Sequence, residues 1–342
     1  MRQLVKTLEI RTSPHILSGY SVDTIMFNVV FALLPVTGFA VWAFGWTALL
    51  TLAVAILTCV AVEHAACRWN GKPTTVGDWS AVITGLLYGL TLPPHLPLWM
   101  TVGGGFVSMV LGKLLFGGLG HNPFNPALVG RAFLQAAFPV AMTQWIPAFA
   151  PGRFSSVPTS TLAFAFTQPV YDAVTTATPL ALWKFDRKTS EAYDLALGFT
   201  SGSTGETCAV LILLGGLYLV LRNMMSWRVP AAILGTVAGL AGVLHAVDPS
   251  KYASPAFMLF SGGLMLGAVF MATDMVSSPI TRLGGVIYGG LIGVLVVVIR
   301  VWGGMPEGVM YAILLGNVAS PHLDRLVRPK VYGTSARSEG GR

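Results

Sequence analysis

The sequence predicts an all-α integral membrane protein. It should have about ten transmembrane helices in two inverted five-helix repeats, with a long outer-side loop between them. Three observations predict this. Of the 342 residues, 54% are hydrophobic and only 10% are charged, against about 25% charged in a soluble domain. Apolar segments recur at membrane-spanning length, since roughly 20 helical residues cross the hydrocarbon core. Finally, the basic residues gather in alternate connections, as the positive-inside rule requires of a multi-pass chain.

The segments fall near 23–44, 47–66, 79–93, 97–116, 124–145, 206–221, 229–246, 254–272, 284–302 and 306–322. The first 22 residues are polar and basic, and the first apolar run begins near Ile25 with no small-residue cleavage site behind it. It therefore reads as a retained helix, not a cleaved signal. Segment 79–93 is short and stops at Pro93–Pro94, which suits a broken or half-buried helix surrounded by protein. Arg2, Lys6 and Arg11 precede the first span. Arg68, Lys72, Lys113, Arg222, Arg228, Arg282, Arg325, Arg328 and Lys330 follow in alternate connections. Ten spans put all of these on the cytoplasmic side, with both termini cytoplasmic. The organisation that results is a cytoplasmic segment 1–22, a membrane repeat 23–145, an outer-side loop 146–205, a second repeat 206–322 and a cytoplasmic tail 323–342. GLLYG at 85–89 and GLMLG at 263–267 lie five spans apart. They run in opposite directions, as in inverted-repeat transport folds, although Gly-x-x-x-Gly is also a common packing motif.

The net charge of +7 lies in these connections and is no signal for nucleic acid. Cys59, Cys67 and Cys208 have no C-x-x-C spacing, so neither disulfides nor iron–sulfur ligation within the chain is expected, and no metal site. No G-x-G-x-x-G follows a strand, which argues against nicotinamide binding by this chain.

Loop 117–131, GGLGHNPFNPALVGR, leaves two readings open. Asn122 and Asn125 offer uncharged donors and acceptors that suit the edge of a flat heterocycle, or they satisfy the backbone of a re-entrant loop. Glu63, His64, Arg131, Asp274 and Asp324 are ionisable residues within or at the ends of spans. Such residues mark ion paths, though an interfacial cap or ion pair also explains Asp324. The stretch YDAVTTATPL at 171–180 and the stretch SGSTGET at 201–207 crowd hydroxyls into the long loop. Ser203, Thr204, Gly205 and Glu206, at a helix start, suit an anion or ordinary capping.

These blocks resemble the RnfD/NqrB family. That family comprises the RnfD component of the Rnf complex and, more distantly, the NqrB component of the Na+-translocating NADH:quinone oxidoreductase. The resemblance covers essentially all ten spans. Asp172, Thr175, Thr176, Ala177 and Thr178 fit the family pattern D-x-x-[ST]-[GT]-A-T, with Thr176 where glycine is commoner. The resemblance implies covalent FMN on Thr178 through a phosphoester, installed by a flavin transferase that reads Asp172, with Ser203, Thr204, Gly205 and Glu206 expected near that FMN. Asp186 and Asp194 match nothing. GGLGHNPFNPALVGRAFL is similar to the block that holds a non-covalent riboflavin, which falls to Asn122 and Asn125. FMATDMVSS and MPEGVMYAILLGN–PHLDR imply an ion path through Phe270, Asp274 and Asp324.

The function implied is that of an electron-transfer subunit, not catalytic alone, in an ion-translocating ferredoxin:NAD+ oxidoreductase of the bacterial inner membrane. Its partners would be a second FMN-bearing subunit, Fe–S subunits and lipid, with Na+ or H+ as coupling ion. The flavin loop would be periplasmic. An NqrB-like component of the quinone-reducing enzyme is the alternative. A solute channel or a scaffold bundle of the same fold would need no flavin.

Overall fold

The computed structural model describes residues 21–155, 157–164, 176–206 and 208–328. Regular structure there is helical throughout, with no strand among the described residues. The first half contributes α1 (Val22–Phe44), α2 (Trp46–Trp69), α3 (Ser80–Leu90), α4 (Leu98–Gly112) and α5 (Pro126–Ala137). The second half contributes α6 (Ala209–Leu221), α7 (Arg228–Val247), α8 (Pro255–Phe260), α9 (Leu264–Leu266) running into a π turn at Gly267–Met271, α10 (Arg282–Trp302) and α11 (Val309–Leu326). Five stretches are long and apolar enough to cross a membrane: Val22–Phe44, Trp46–Trp69, Leu98–Phe116, Arg228–Val247 and Arg282–Trp302. Ser80–Leu90 and Ala209–Leu221 are shorter apolar helices.

Local chemistry sets the ends. Ser21 caps α1 through Thr24 N–H, Asn125 caps α5 with Pro126 in its first turn, and Thr281 caps α10 through Gly284 N–H. These side-chain oxygens satisfy amides that have no partner inside the helix. Between α1 and α2, Gly45 sits at φ 72°, and a Cβ there would lie 2.0 Å from the Arg153 carbonyl oxygen. Only glycine meets both demands.

Helix α3 packs on α2, where a Cβ on Gly85 would come within 2.6 Å of Ile56 Cα. In the first half α2 also packs on α4 and α4 on α5. In the second, α7 packs on α8 and α10, and α10 on α11. The halves meet through α1 against α6 and α5 against α11.

Two of the segments expected as spans are interrupted. Helix α3 stops at Leu90, and the chain stays buried from Thr84 to Pro97. Its freed carbonyls are met from elsewhere. Gly205 N–H donates to Leu90 O at 2.6 Å, Thr204 N–H and Oγ1 donate to Leu92 O at 3.1 and 2.7 Å, and Thr51 Oγ1 donates to Pro94 O at 3.0 Å. This fits the short segment expected at 79–93. Segment 254–272, by contrast, is not one continuous helix. It breaks at Ser261–Gly263 into α8 and α9. Segment 124–145 is likewise helical only over Pro126–Ala137, because Pro139 withholds the amide needed for continuation and a separate turn, Pro139–Met142, follows.

The connector between α5 and α6 lies over one end of the bundle. Phe149 N–H donates to Ala43 O at 2.9 Å, Lys184 Nζ to Arg300 O at 3.1 Å, and Arg187 Nη1 to Lys251 O at 2.9 Å. Phe39, Trp42 and Phe149 pack edge to face there.

Candidate functional site

A cavity of about 550 Å³ opens at the connector end, between α5, the connector and the α10–α11 turn. Thr178 stands on its wall, capping the turn Pro179–Ala181 and accepting from Ala181 N–H at 3.3 Å. Pro179 and Leu180 behind it are buried. The fixed φ of Pro179 and this burial hold the hydroxyl in place. The neighbouring Ala177 also lines the cavity, and its carbonyl accepts from Ser201 Oγ at 3.1 Å. Thr176 is tied by its amide to Trp145 O at 2.9 Å. Asp172 and Thr175 lie outside the described residues.

The deep wall carries charge. Arg131 Nη2 pairs with Glu307 Oε2 at 2.9 Å, and its Nη1 lies 3.6 Å from Glu206 Oε1. Arg131 Nε and Glu206 Oε1 are buried without a hydrogen-bond partner. Glu307 Oε1 also accepts from Gly263 N–H at 2.6 Å, at the start of the second half-helix. Across the break, Arg300 donates to Met258 O at 2.6 Å and Ser261 O at 2.9 Å. A cation therefore meets the carbonyl end of α8 and an anion meets the amide end of α9, each matched to its helix dipole. Arg300, in the last turn of α10, is 0% exposed. Glu307 and Lys184, which closes the end of α10, were not marked by the sequence. The signal for Arg300 was a lone cation in VVVIRVW.

Among the described residues of SGSTGET, only Ser201, Gly202 and Glu206 border the cavity. Ser203 and Thr204 are fully buried. Together with Gly205 they lie against the end of α3, and Gly205 presses on the Leu90 backbone.

A second cavity, of about 100 Å³, lies at the opposite end. It brings together Asn122, Asn125, Phe270 and Asp274, with Ser80 and Lys113. Asn125 is largely engaged, since Oδ1 caps α5 through Ala127 N–H at 3.0 Å and Nδ2 donates to Met271 O at 3.2 Å. Asn122 donates to Phe124 O at 3.2 Å, and its Oδ1 is buried without a partner. Asp274 accepts from Val276 N–H at 3.2 Å and Ser277 Oγ at 3.1 Å. Asp324 does not border this cavity; it accepts from Ile280 N–H at 3.1 Å. The two acids thus hold the two ends of loop 273–281. Glu63 pairs with Lys113 at 2.6 Å, whereas His64 is exposed. Lys113 is 2% exposed. It is a buried ion-pair partner, not the surface topology charge the sequence suggested.

Among the described residues no group of three or more His, Cys, Asp or Glu could hold a metal ion. Cys59 and Cys208 are buried, Cys67 is half-buried, and all three are free.

Residues 9–333 match the model of the NQR2, RnfD, RnfE family. The chain is 39% identical to the D subunit of the ion-translocating oxidoreductase complex of Halorhodospira halophila, with 95% of each chain covered. It is 41% identical to the D subunit of the Na+-translocating ferredoxin:NAD+ oxidoreductase complex of Acetobacterium woodii, with 96% of each covered. It is 39% identical to the D subunit of the proton-translocating ferredoxin:NAD+ oxidoreductase complex of Clostridium ljungdahlii, covering 95% of this chain and 96% of that one.

Proposed function

This chain belongs to the NQR2, RnfD, RnfE family, and from that premise we propose that it is the membrane electron-transfer subunit of an ion-translocating ferredoxin:NAD+ oxidoreductase. In this reading FMN is esterified to Thr178 in the connector cavity and riboflavin sits without a covalent bond at the opposite end. The observation that carries the reading is the Thr178 hydroxyl, held by Pro179 on the wall of a cavity of about 550 Å³. The chemistry of the two walls fits. Arg131 Nε and Glu206 Oε1 in one cavity, and Asn122 Oδ1 in the other, are buried polar atoms in want of a partner, which a flavin's polar edge can supply.

A flavin, when bound, supplies uptake and release of electrons. The chain's own residues do the rest. Pro179 and the Ala181 N–H fix the attachment turn, and apolar walls exclude water. The cavities share two elements: α5 reaches from Pro126 to Arg131, and the interrupted span reaches from Gly262 to Phe270. Gly262 to Phe270 is roughly 12 Å at about 1.5 Å of rise per residue.

Ten spans, with α8 and α9 as one interrupted span, fit the packing, and the strongest pairings of the two halves correspond as an inverted repeat would make them. Arg68, Lys72, Arg222, Arg282, Arg325 and Arg328 are exposed at the end away from the connector. By the positive-inside rule that end is cytoplasmic and the Thr178 side periplasmic, in a bacterial inner membrane. Maturation then needs a flavin transferase on that side. A second FMN-bearing subunit and Fe–S subunits complete the electron path, and Na+ or H+ moves along Phe270, Asp274 and Asp324.

Fluorescence of the denatured polypeptide tests the reading. Protein from cells containing the transferase should give a fluorescent band that is lost in Thr178→Ala, and a dark wild-type band would falsify it.

A further inference from the structure

Resting on the reading that the opposite-end cavity holds a non-covalent flavin, we propose that the buried Glu63–Lys113 pair sets the reduction potential of that flavin. Lys113, at the end of α4, donates to Glu63 Oε1 and to Ser80 Oγ, each at 2.6 Å. Thr75 Oγ1 adds a bond to Glu63 Oε1 at 2.7 Å. An ammonium has three donors, and side chains take two of them. Lys113 and Ser80 border the cavity while Glu63 does not, so the cation is the nearer charge and the anion stands behind it. The two side chains are 3% and 2% exposed. Folding alone does not call for such a pair, because apolar residues of similar volume stabilise a core as well or better.

A flavin that takes up two electrons and one proton gains one negative charge. In a water-poor cavity a neighbouring cation favours that form, and an anion behind the cation weakens the effect. The two charges therefore act in opposite directions. Lys113→Met should lower the potential and Glu63→Gln should raise it. Each shift corresponds to about a tenfold change in preference for the reduced form, or about 30 mV for a two-electron couple. The Glu63→Gln, Lys113→Met double variant should fall between them, and Lys113→Arg should stay near wild type. A residue that only supports the fold would not give shifts of opposite sign.

The test uses the whole complex purified from its native host. Non-covalent flavin is extracted and quantified first, and the potential of the retained flavin is then measured by spectroelectrochemical titration. A wild-type complex with no extractable flavin overturns the cofactor reading on which the inference rests. Flavin present at full occupancy, with potentials that coincide or shift in one direction in both single variants, overturns the inference alone. Glu63→Gln is isosteric and keeps an acceptor for Lys113, so it carries the test if Lys113→Met does not assemble.

Discussion

At the scale of single residues, the ionic floor of the connector cavity illustrates how a buried charge is made tolerable. Arg300 is buried among apolar residues, yet it donates to two carbonyls that the break at Ser261–Gly263 leaves without helical partners. Arg300→Met should therefore cost about 3–5 kcal/mol, the usual result of removing one member of a buried charged network. It would strand those carbonyls and leave Glu307 with Arg131 as its cation. Arg300→Lys should recover part of that, because an ammonium reaches one carbonyl but does not reproduce the fork. Chemical denaturation of the detergent-solubilised protein would measure both, and equal stability of Arg300→Met and wild type would reject the capping role. None of this was legible in the sequence. Thr178 was marked by a local motif, but the work of Arg300 and Glu307 depends on bonds to a break 39 and 44 residues before them. The signal for Asn122 and Asn125 was local as well, and of its two readings the structure bears on the one in which they satisfy backbone groups. Asn125 mostly caps its own helix, while Asn122 Oδ1 is left unpartnered in the cavity.

At the scale of elements, hydropathy located the helical segments but not their interruptions. Two short apolar helices and one long one have the same hydropathy, so 254–272 read as a single span. The Ser254–Pro255 start and the Gly262–Gly263 pair were the available cues, and both also occur in continuous spans. For α3 the Pro93–Pro94 pair made the shortness visible. What supplied its missing hydrogen bonds was not visible, because Thr204 and Gly205 come from the connector more than a hundred residues later and Thr51 from α2. That segment, read from the sequence as an anion site or a cap, serves in the structure to close α3. Thr204→Val should accordingly destabilise by about 1 kcal/mol, the loss of one buried hydrogen bond. Gly205→Ala should cost more, about 1–3 kcal/mol, because its Cβ would lie 2.7 Å from Leu90 Cβ. In Thr204→Val the fluorescent flavin band should survive at wild-type intensity. Loss of the band at unchanged stability would return Thr204 to the flavin site.

At the scale of the whole molecule, the arrangement that matters is two cavities at opposite ends, joined by α5 and by an interrupted span. The broken span ends at Asp274, beside Asn122, and loop 273–281 runs from there to the residue held by Asp324. Both cavities draw on these two elements, which in the proposed reading offer a route by which electron movement at one end influences ion movement at the other. A transmembrane potential of 100 mV contributes about 2.3 kcal/mol per charge moved, which sets the scale of work for the proposed coupling. The identity of the ion does not follow from similarity, since relatives of nearly equal identity carry Na+ in one name and protons in the other. Asp274→Asn isolates this step. It removes the charge but retains an oxygen able to accept from Val276 N–H, while the oxygen that accepts from Ser277 Oγ becomes an amide nitrogen able to donate to that hydroxyl. Covalent flavin at Thr178, at the far end of the bundle, should be unaffected. Ion transport by the complex in proteoliposomes should fall about tenfold, the effect of weakening one charge-assisted hydrogen bond by about 1.4 kcal/mol. Parallel loss of flavin attachment and transport would indicate a damaged fold, and full transport with the neutral side chain would remove Asp274 from the ion path.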